Sequence, residues 1–343
     1  MKPDLDTATL RNAPVISLGR AGSTLIEVLT AVVIFSIVLT AVFATFSFQK
    51  QSYTTQTRVA EMQQNLRVAV DILFRDIRMG GYGVDSDINV PLSAVGGVGT
   101  STIALRGFQG ADGGSSAPDG IYILYSYDMD NTLSALQPTL TTGSITAVNS
   151  GTVTMNVTPG TGTRFSTGDV VLINNGTTAD MYQVTSRDNN SLTFGSTPAI
   201  NANGHNSNIY DVGSKVSRAR FVRYFIDGTD PEHPTLMVTR LPGAVSQPVA
   251  DDIEDLQFLY GLASSVDNAL VSGTVVDSPA DDAERQRIRR VNLSIIARTR
   301  VSDRGWQGQR PNLGNRSGTP PADWYRRRVL DNVAVDIRNM RLN

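Results

Sequence analysis

One carboxylate stands where carboxylates are costly. Glu27 opens an apolar run in the string Gly22-Ser23-Thr24-Leu25-Ile26-Glu27-Val28-Leu29, and no charged residue follows it from Val28 to Gln49. An acid entering a bilayer costs a few kcal/mol, so such a group either marks the membrane interface or awaits a cationic partner. Just before it lie two small residues, Gly22 and Ser23. A cut between them would remove a polar leader and leave the apolar run on the mature chain. Other residues offer less chemistry. The two histidines, His205 and His233, sit in turn-rich stretches with no second ligand at metal spacing, and are read as loop residues. Asp128, Asp130 and Asn131, and Asp251, Asp252 and Glu254, carry hard oxygen donors of the type that bind Ca²⁺. Neither group has the spacing of an EF-hand loop, and both are read as turn and strand-edge residues. Trp324 and Tyr325 precede Arg326, Arg327 and Arg328, an aromatic-basic run that could meet phosphates; a strand with alternating exposed positions is the preferred reading, and DNA is not expected as a partner. There is no P-loop, H-E-x-x-H, dinucleotide fingerprint or G-x-S-x-G element, so the sequence is read as a non-enzyme with no cofactor and no metal.

The elements that must position Glu27 can be read from pattern. From Val28 to Phe48 the chain is apolar on every helical face, which suits a single membrane span, and its Ser and Thr hydroxyls can bond back to the preceding turn. The leader carries Lys2, Arg11 and Arg20, which favours a cytoplasmic N-terminus and an exported C-terminal part despite Asp4 and Asp6. The small-residue cut precedes the apolar run, the reverse of a secretory signal. Further on, Val59, Met62, Leu66, Val70, Leu73 and Ile77 recur at three- and four-residue steps, one face of a continuing helix that Gly80 and Gly81 would stop. Such a helix from about Thr24 to Met79 would be about 84 Å long.

After Gly81 the texture is β. Strands are predicted at 121–127, 153–157, 170–173, 182–185, 191–194, 220–226, 236–239, 256–260, 291–297 and 329–337, with a short helix or charged loop at 279–287. A Thr-, Asn- and Gly-rich block at 143–213 reads as a small inserted β module. The fold class is therefore α+β: a long N-terminal helix packed on an antiparallel β-rich domain. The expected partition is a leader at 1–22, a helix at 23–80, a first β part at 81–142, the module at 143–213 and a second β part at 214–343.

Composition narrows the class without naming it. The chain has 343 residues, 40% hydrophobic and 18% charged, with a formal net charge of −2. It is long enough for one large or two ordinary domains, and no global positive field points to nucleic acid. Cysteine is absent, which excludes disulfides, thiolate metal sites and cysteine nucleophiles.

The string Gly22-Ser23-Thr24-Leu25-Ile26-Glu27-Val28-Leu29 resembles the signal of type IV prepilins, commonly G-F-T-L-I-E-V-L, with Ser23 in place of the usual Phe or Met. The resemblance implies cleavage by a prepilin peptidase between Gly22 and Ser23, and N-methylation of Ser23. It also implies that Glu27 neutralises the amino terminus of a neighbouring subunit during assembly. Leu73 to Tyr82 is similar to the helix end of PilW-type minor pilins, and Val249 to Gly261, Arg289 to Arg298 and Val335 to Asn339 are similar to later elements of that family. What this implies is a structural minor pilin that joins other minor pilins and the major pilin at a pilus tip, primes assembly and presents an adhesin. Its implied partners are the prepilin peptidase, the inner-membrane assembly platform, a tip adhesin and, before assembly, the lipid bilayer. The implied localisation is the bacterial inner membrane, N-terminus cytoplasmic and C-terminal domain periplasmic, then the pilus surface. A J-type pseudopilin of type II secretion shares the signal, and a membrane-tethered binding module or enzyme is a more remote alternative.

Overall fold

The computed structural model describes residues 24–84, 86–91, 102–128, 152–196, 200–201, 210–243, 245–266, 271–318, 320 and 322–337. Gly22, Ser23, Asp130, Asn131, His205, Arg338 and Asn339 lie outside the described residues. The chain divides into two compact units, one ending at Thr55 and one beginning at Gln56.

Helix α1 runs over Leu25–Met79. In the first unit every residue from Thr24 to Tyr53 is exposed. Within Leu25–Phe48 fifteen large apolar side chains are bare. At about 1.5–3 kcal/mol each, their transfer out of water is worth more than the about 5–15 kcal/mol that holds a typical domain together, so this segment requires an apolar environment. Four of its hydroxyls are satisfied within the helix: Thr30 Oγ1 donates to Glu27 O at 3.0 Å, Ser36 Oγ to Val33 O at 2.8 Å, Thr40 Oγ1 to Ser36 O at 2.8 Å and Thr45 Oγ1 to Ala41 O at 2.9 Å. That removes the desolvation cost these groups would otherwise impose in hydrocarbon.

In the second unit the helix buries Met62, Leu66, Ala69, Leu73, Asp76 and Ile77, with Val59 and Val70 packed at the margin of the same core. This is the expected apolar stripe, with Ala69 and the acid Asp76 added. Gly80 and Gly81 end the helix for different reasons. A Cβ on Gly80 would stand 2.0 Å from Phe108 Cζ, so only glycine admits the ring; Gly81 has φ +77° and donates its N–H to Leu124 O at 2.9 Å.

The described strands are, in chain order, β1 Ile88–Pro91, β2 Thr102–Leu105, β3 Phe108–Ala111, β4 Gly120–Ser126, β5 Val153–Asn156, β6 Val170–Asn174, β7 Ala179–Gln183, β8 Ser186–Arg187, β9 Ser191–Phe194, β10 Lys215–Asp227, β11 Thr235–Arg240, β12 Ser246–Asp251, β13 Ile253–Ala263, β14 Val271–Val276, β15 Ile288–Arg298 and β16 Arg327–Asp336. A short helix, α2, spans Asp282–Arg287. All pairings among them are antiparallel. The largest sheet runs β12-β11-β10-β4-β3, with β6 and β7 joined to it through β10; a four-stranded sheet runs β14-β13-β15-β16; β5-β9-β8 and β1-β2 form smaller ones. The α+β class read from the sequence is the architecture observed.

Strand β10 organises the larger sheet. Its residues 215–218 pair with β6, 219–224 with β4 and 222–227 with β11. β4 and β6 are buried along their whole length because each has a core on both faces. Ile121, Ile123 and Tyr125 of β4 join the core around α1, whereas Tyr122 and Leu124 join a second core with Val170 and Leu172 of β6. Val171 and Ile173 face a third core with Phe165, Tyr182, Phe194 and Tyr210. Continuous runs such as Val170-Val171-Leu172-Ile173 follow from this two-sided burial.

Three details differ from the sequence reading. The strand expected at 182–185 lies at Ala179–Gln183, because Ala179 and Asp180 pair with Asn174 and Ile173 while Val184 N donates to Asp169 O at 2.9 Å outside the ladder. The charges at 279–287 are not all solvated: Arg285 is buried and paired with Asp87 across the chain. Strands β1 to β3, β8, β12 and β14 had no counterpart in the pattern.

Candidate processing and assembly site

Glu27 occupies the first turn of α1, whose opening bonds run from Glu27 N and Val28 N to Thr24 O at 3.0 and 3.2 Å. A carboxylate there is favoured by the unpaired N–H groups of the helix start, by about 0.3–1 kcal/mol. Among the described residues it has no hydrogen-bond or ion-pair partner, and it is exposed between Ile26 at 72% and Val28 at 51%. An acid set among apolar side chains, with no cation beside it among the described residues, is neutralised either by a proton or by a cation brought to it. Gly22 and Ser23, directly upstream, are not described.

The other end of α1 carries a second acid with the opposite fate. Asp76 is buried; Tyr224 Oη donates to its Oδ2 at 2.6 Å and Tyr125 Oη to its Oδ1 at 3.2 Å. Burial, and then the charge of Asp76, push both phenols above their ordinary range, so they stay protonated and act as donors. The helix is thereby bonded to β4 and β10 at once. The Leu73 to Tyr82 resemblance takes in this position, but not its partners.

Most of the other candidates that are described take part in internal contacts of the fold. Asp252 turns the chain from β12 into β13 with φ +59°, a left-handed conformation in which Asp is tolerated better than most residues. His233 Nδ1 lies 3.0 Å from Asp252 Oδ1, and Arg298 N donates to Asp252 O at 3.0 Å. Glu254 is bonded by Arg327, which also pairs with Asp323. Arg326 Nε donates to Asp303 Oδ2 at 2.9 Å, and its guanidinium lies 4.7 Å from the Trp306 ring centre. Asp128 Oδ1 accepts from Arg218 N at 2.6 Å. Two of the three arginines in the basic run are thus committed to internal acids. No group of three His, Asp or Glu side chains is placed to hold a metal ion among the described residues.

Sequence reasoning missed Asp255. Fully buried on β13, it lies 2.9 Å from both Arg310 and Arg316, and so fastens the 299–326 excursion between β15 and β16 to the four-stranded sheet. No local pattern signals a pairing across 55 residues.

Two family models match the chain. The Prokaryotic N-terminal methylation motif covers residues 18–43, which takes in Gly22, Ser23 and Glu27. Type IV Pilus-assembly protein W covers residues 223–339, from within β10 to just past β16. Comparison with curated proteins and with solved structures found no match. The methylation motif lies over the apolar helix and the pilus-assembly model over the closing strands, so across these two segments the chain is similar to type IV pilus-related, prepilin-type proteins.

Proposed function

We propose that this chain is a structural minor pilin, cut after Gly22 by a prepilin peptidase, methylated on Ser23 and built into a type IV pilus through Glu27. It joins other minor pilins at the tip, where it primes assembly and presents an adhesin. Before assembly it sits in the bacterial inner membrane through Val28–Phe48, N-terminus inside and β-rich domain outside. The observation that carries the reading is the Glu27 carboxyl, without a partner among the described residues, at the head of an apolar helical segment exposed from Thr24 to Tyr53 and overlapped by the methylation motif. Two opposite charges that are each unfavourable in an apolar filament core become tolerable as a pair, and the new amino terminus of a neighbour supplies the cation. The match to a pilus-assembly protein across β10 to β16 supports a pilus over a secretion pseudopilus.

The test is mass spectrometry of the mature protein, which should begin at methylated Ser23. An intact leader in cells with active prepilin peptidase would refute the processing step. Glu27→Ala should leave the protein in the membrane fraction and reduce its recovery in sheared filaments; unchanged recovery would remove Glu27 from the mechanism.

A further inference from the structure

A cavity of about 270 Å³ opens where the second half of α1 meets the β12–β13 turn and the end of β15; it is lined by Glu61, Met62 and Asn65 of the helix and by Asp252, Arg298 and Arg300. Its wall holds a cation that lacks a counter-ion. Arg298 is exposed at only 7% and pairs with no carboxylate among the described residues. Its Nη2 donates to Pro231 O at 2.6 Å and its guanidinium lies 4.3 Å from the Tyr325 ring centre, while Nε has no acceptor. A carbonyl and a ring face take up part of the charge, but a buried cation without a counter-ion is destabilising. Other buried arginines of the chain differ. Arg285 and Arg310 each meet a carboxylate, and Arg289 donates to the carbonyls of Gln286, Ile288 and Val266.

The groups around Arg298 are also unspent. Arg300 reaches Asp251 and Asp252 only at 3.6 and 3.9 Å, past hydrogen-bond length. Glu61 is exposed and has no partner among the described residues. Asn65 Nδ2 donates to Asp251 O at 3.1 Å, which leaves its Oδ1 as an acceptor without a donor among the described residues. The charges balance. Arg298, Arg300 and Arg58, whose Nη1 lies 3.5 Å from Ser302 O, stand against Glu61, Asp251 and Asp252, and Asp252 Oδ1 lies 3.0 Å from His233 Nδ1. A simple anion or cation therefore meets no net field of opposite sign, whereas a molecule carrying both signs meets a partner for each. The space suits one small solute, since sites for drug-sized molecules run to about 300–1,000 Å³.

We propose that this cavity binds a small zwitterion of the free α-amino acid class, its carboxylate on the guanidinium groups of Arg298 and Arg300 and its ammonium group on Glu61 and the Asn65 amide oxygen. The planar fork of a guanidinium matches a carboxylate with two parallel bonds. The site shares no residue with the processing and assembly site and is independent of it. The test is a ligand-observed NMR titration of the full chain in detergent micelles with free L-alanine, and with acetate and methylammonium, which carry its two charges singly. L-alanine should bind about tenfold or more tightly than either. Arg298→Met keeps an apolar stem against Tyr325 and should weaken L-alanine and acetate alike by about tenfold, whereas Glu61→Gln should weaken L-alanine by about tenfold and leave acetate unchanged. If Arg298→Met does not fold, Arg298→Lys, which keeps the charge and loses the planar fork, takes its place and should weaken L-alanine by about fivefold. No saturable binding of L-alanine by about 50 mM, acetate binding as tightly as L-alanine, or L-alanine binding unaffected by either substitution would each overturn the proposal. So would a ligand-free Glu61→Gln protein with a denaturant midpoint well below the parent's, because Glu61 would then already serve as the counter-ion of Arg298 within the chain.

Discussion

Removing the Asp76 carboxyl tests how the β-rich domain holds its helix. In Asp76→Ala, the hydroxyls of Tyr224 and Tyr125, exposed at 0% and 4%, lose their acceptor and have no route to water. A buried donor left unsatisfied costs about 1–3 kcal/mol, and a bond to a charged group is worth about 1.5–3 kcal/mol. The 2.6 Å bond from Tyr224 belongs at the upper end and the 3.2 Å bond from Tyr125 at the lower, giving about 3–5 kcal/mol in all. Asp76→Asn keeps one acceptor oxygen and offers a donor to a phenol that can rotate to accept, so it should cost about 1 kcal/mol. Combining Asp76→Leu with Tyr125→Phe and Tyr224→Phe should recover much of the loss, since apolar groups of similar shape leave nothing unsatisfied. The assay is denaturant unfolding of the full chain in detergent micelles followed by the β-sheet signal in circular dichroism. An alanine variant within about 1 kcal/mol of the parent would refute the reasoning, as would an asparagine variant as damaged as alanine, which would locate the effect in charge.

Three further outcomes follow from the same structure. Gly80→Ala drives a methyl group into the buried Phe108 ring and should cost about 1–3 kcal/mol by overpacking, more than Gly81→Ala, and Phe108→Leu should relieve the first but not the second; equal unfolding midpoints for both alanine variants would contradict this. Asp255→Ala strands the buried Arg310 and the partly buried Arg316, and a loss of about 3–5 kcal/mol should appear with new protease cleavage within residues 299–326; an unchanged digestion pattern would show that the excursion is held otherwise. Asp119 is buried, which pushes its carboxyl up to about 6 from an ordinary 3.8, although the N–H groups of Phe258 and Gly113 oppose the shift. The folded state then binds this proton more tightly than the unfolded chain, so its contribution is complete below about pH 4 and is lost as pH rises through about 6. Asp119→Asn should remove that fall in stability, and parallel pH profiles for parent and variant would disprove the assignment.

What could be read in the sequence was what repeats or what is chemically costly. The apolar stripe from Val59 to Ile77 and the charge-free span after Glu27 are periodic or continuous, and they appear in the helix as expected. β4, β6 and β9 were legible because their apolar residues have no other place to go. β12 was hidden by Ser246, Gln247 and Pro248, residues that a sheet edge accepts and a central strand does not. β7 was displaced because the pairing of Ala179 and Asp180 with β6 overrides their weak strand preference. The acids divide in the same way. Glu27 announces itself by its apolar neighbours, whereas the partners of Asp76 lie 49 and 148 residues away and leave no local trace.

The two acids of α1 therefore make separable demands, and that separation is itself testable. Asp76 is satisfied inside the chain by two phenols, while the Glu27 carboxyl has no partner among the described residues and sits among exposed apolar side chains. If the first serves folding and the second assembly, each substitution should spare the other's function. Glu27→Ala should unfold at the parent's denaturant midpoint in micelles yet be depleted from filaments. Asp76→Asn, which costs the domain only about 1 kcal/mol by the accounting above, should still enter filaments at near-parental levels. A Glu27 variant that lowers the domain's stability would mean that its carboxyl is used within the chain. A mild Asp76 variant that folds but is excluded from filaments would mean that the helix end is read by a partner as well as by β4 and β10.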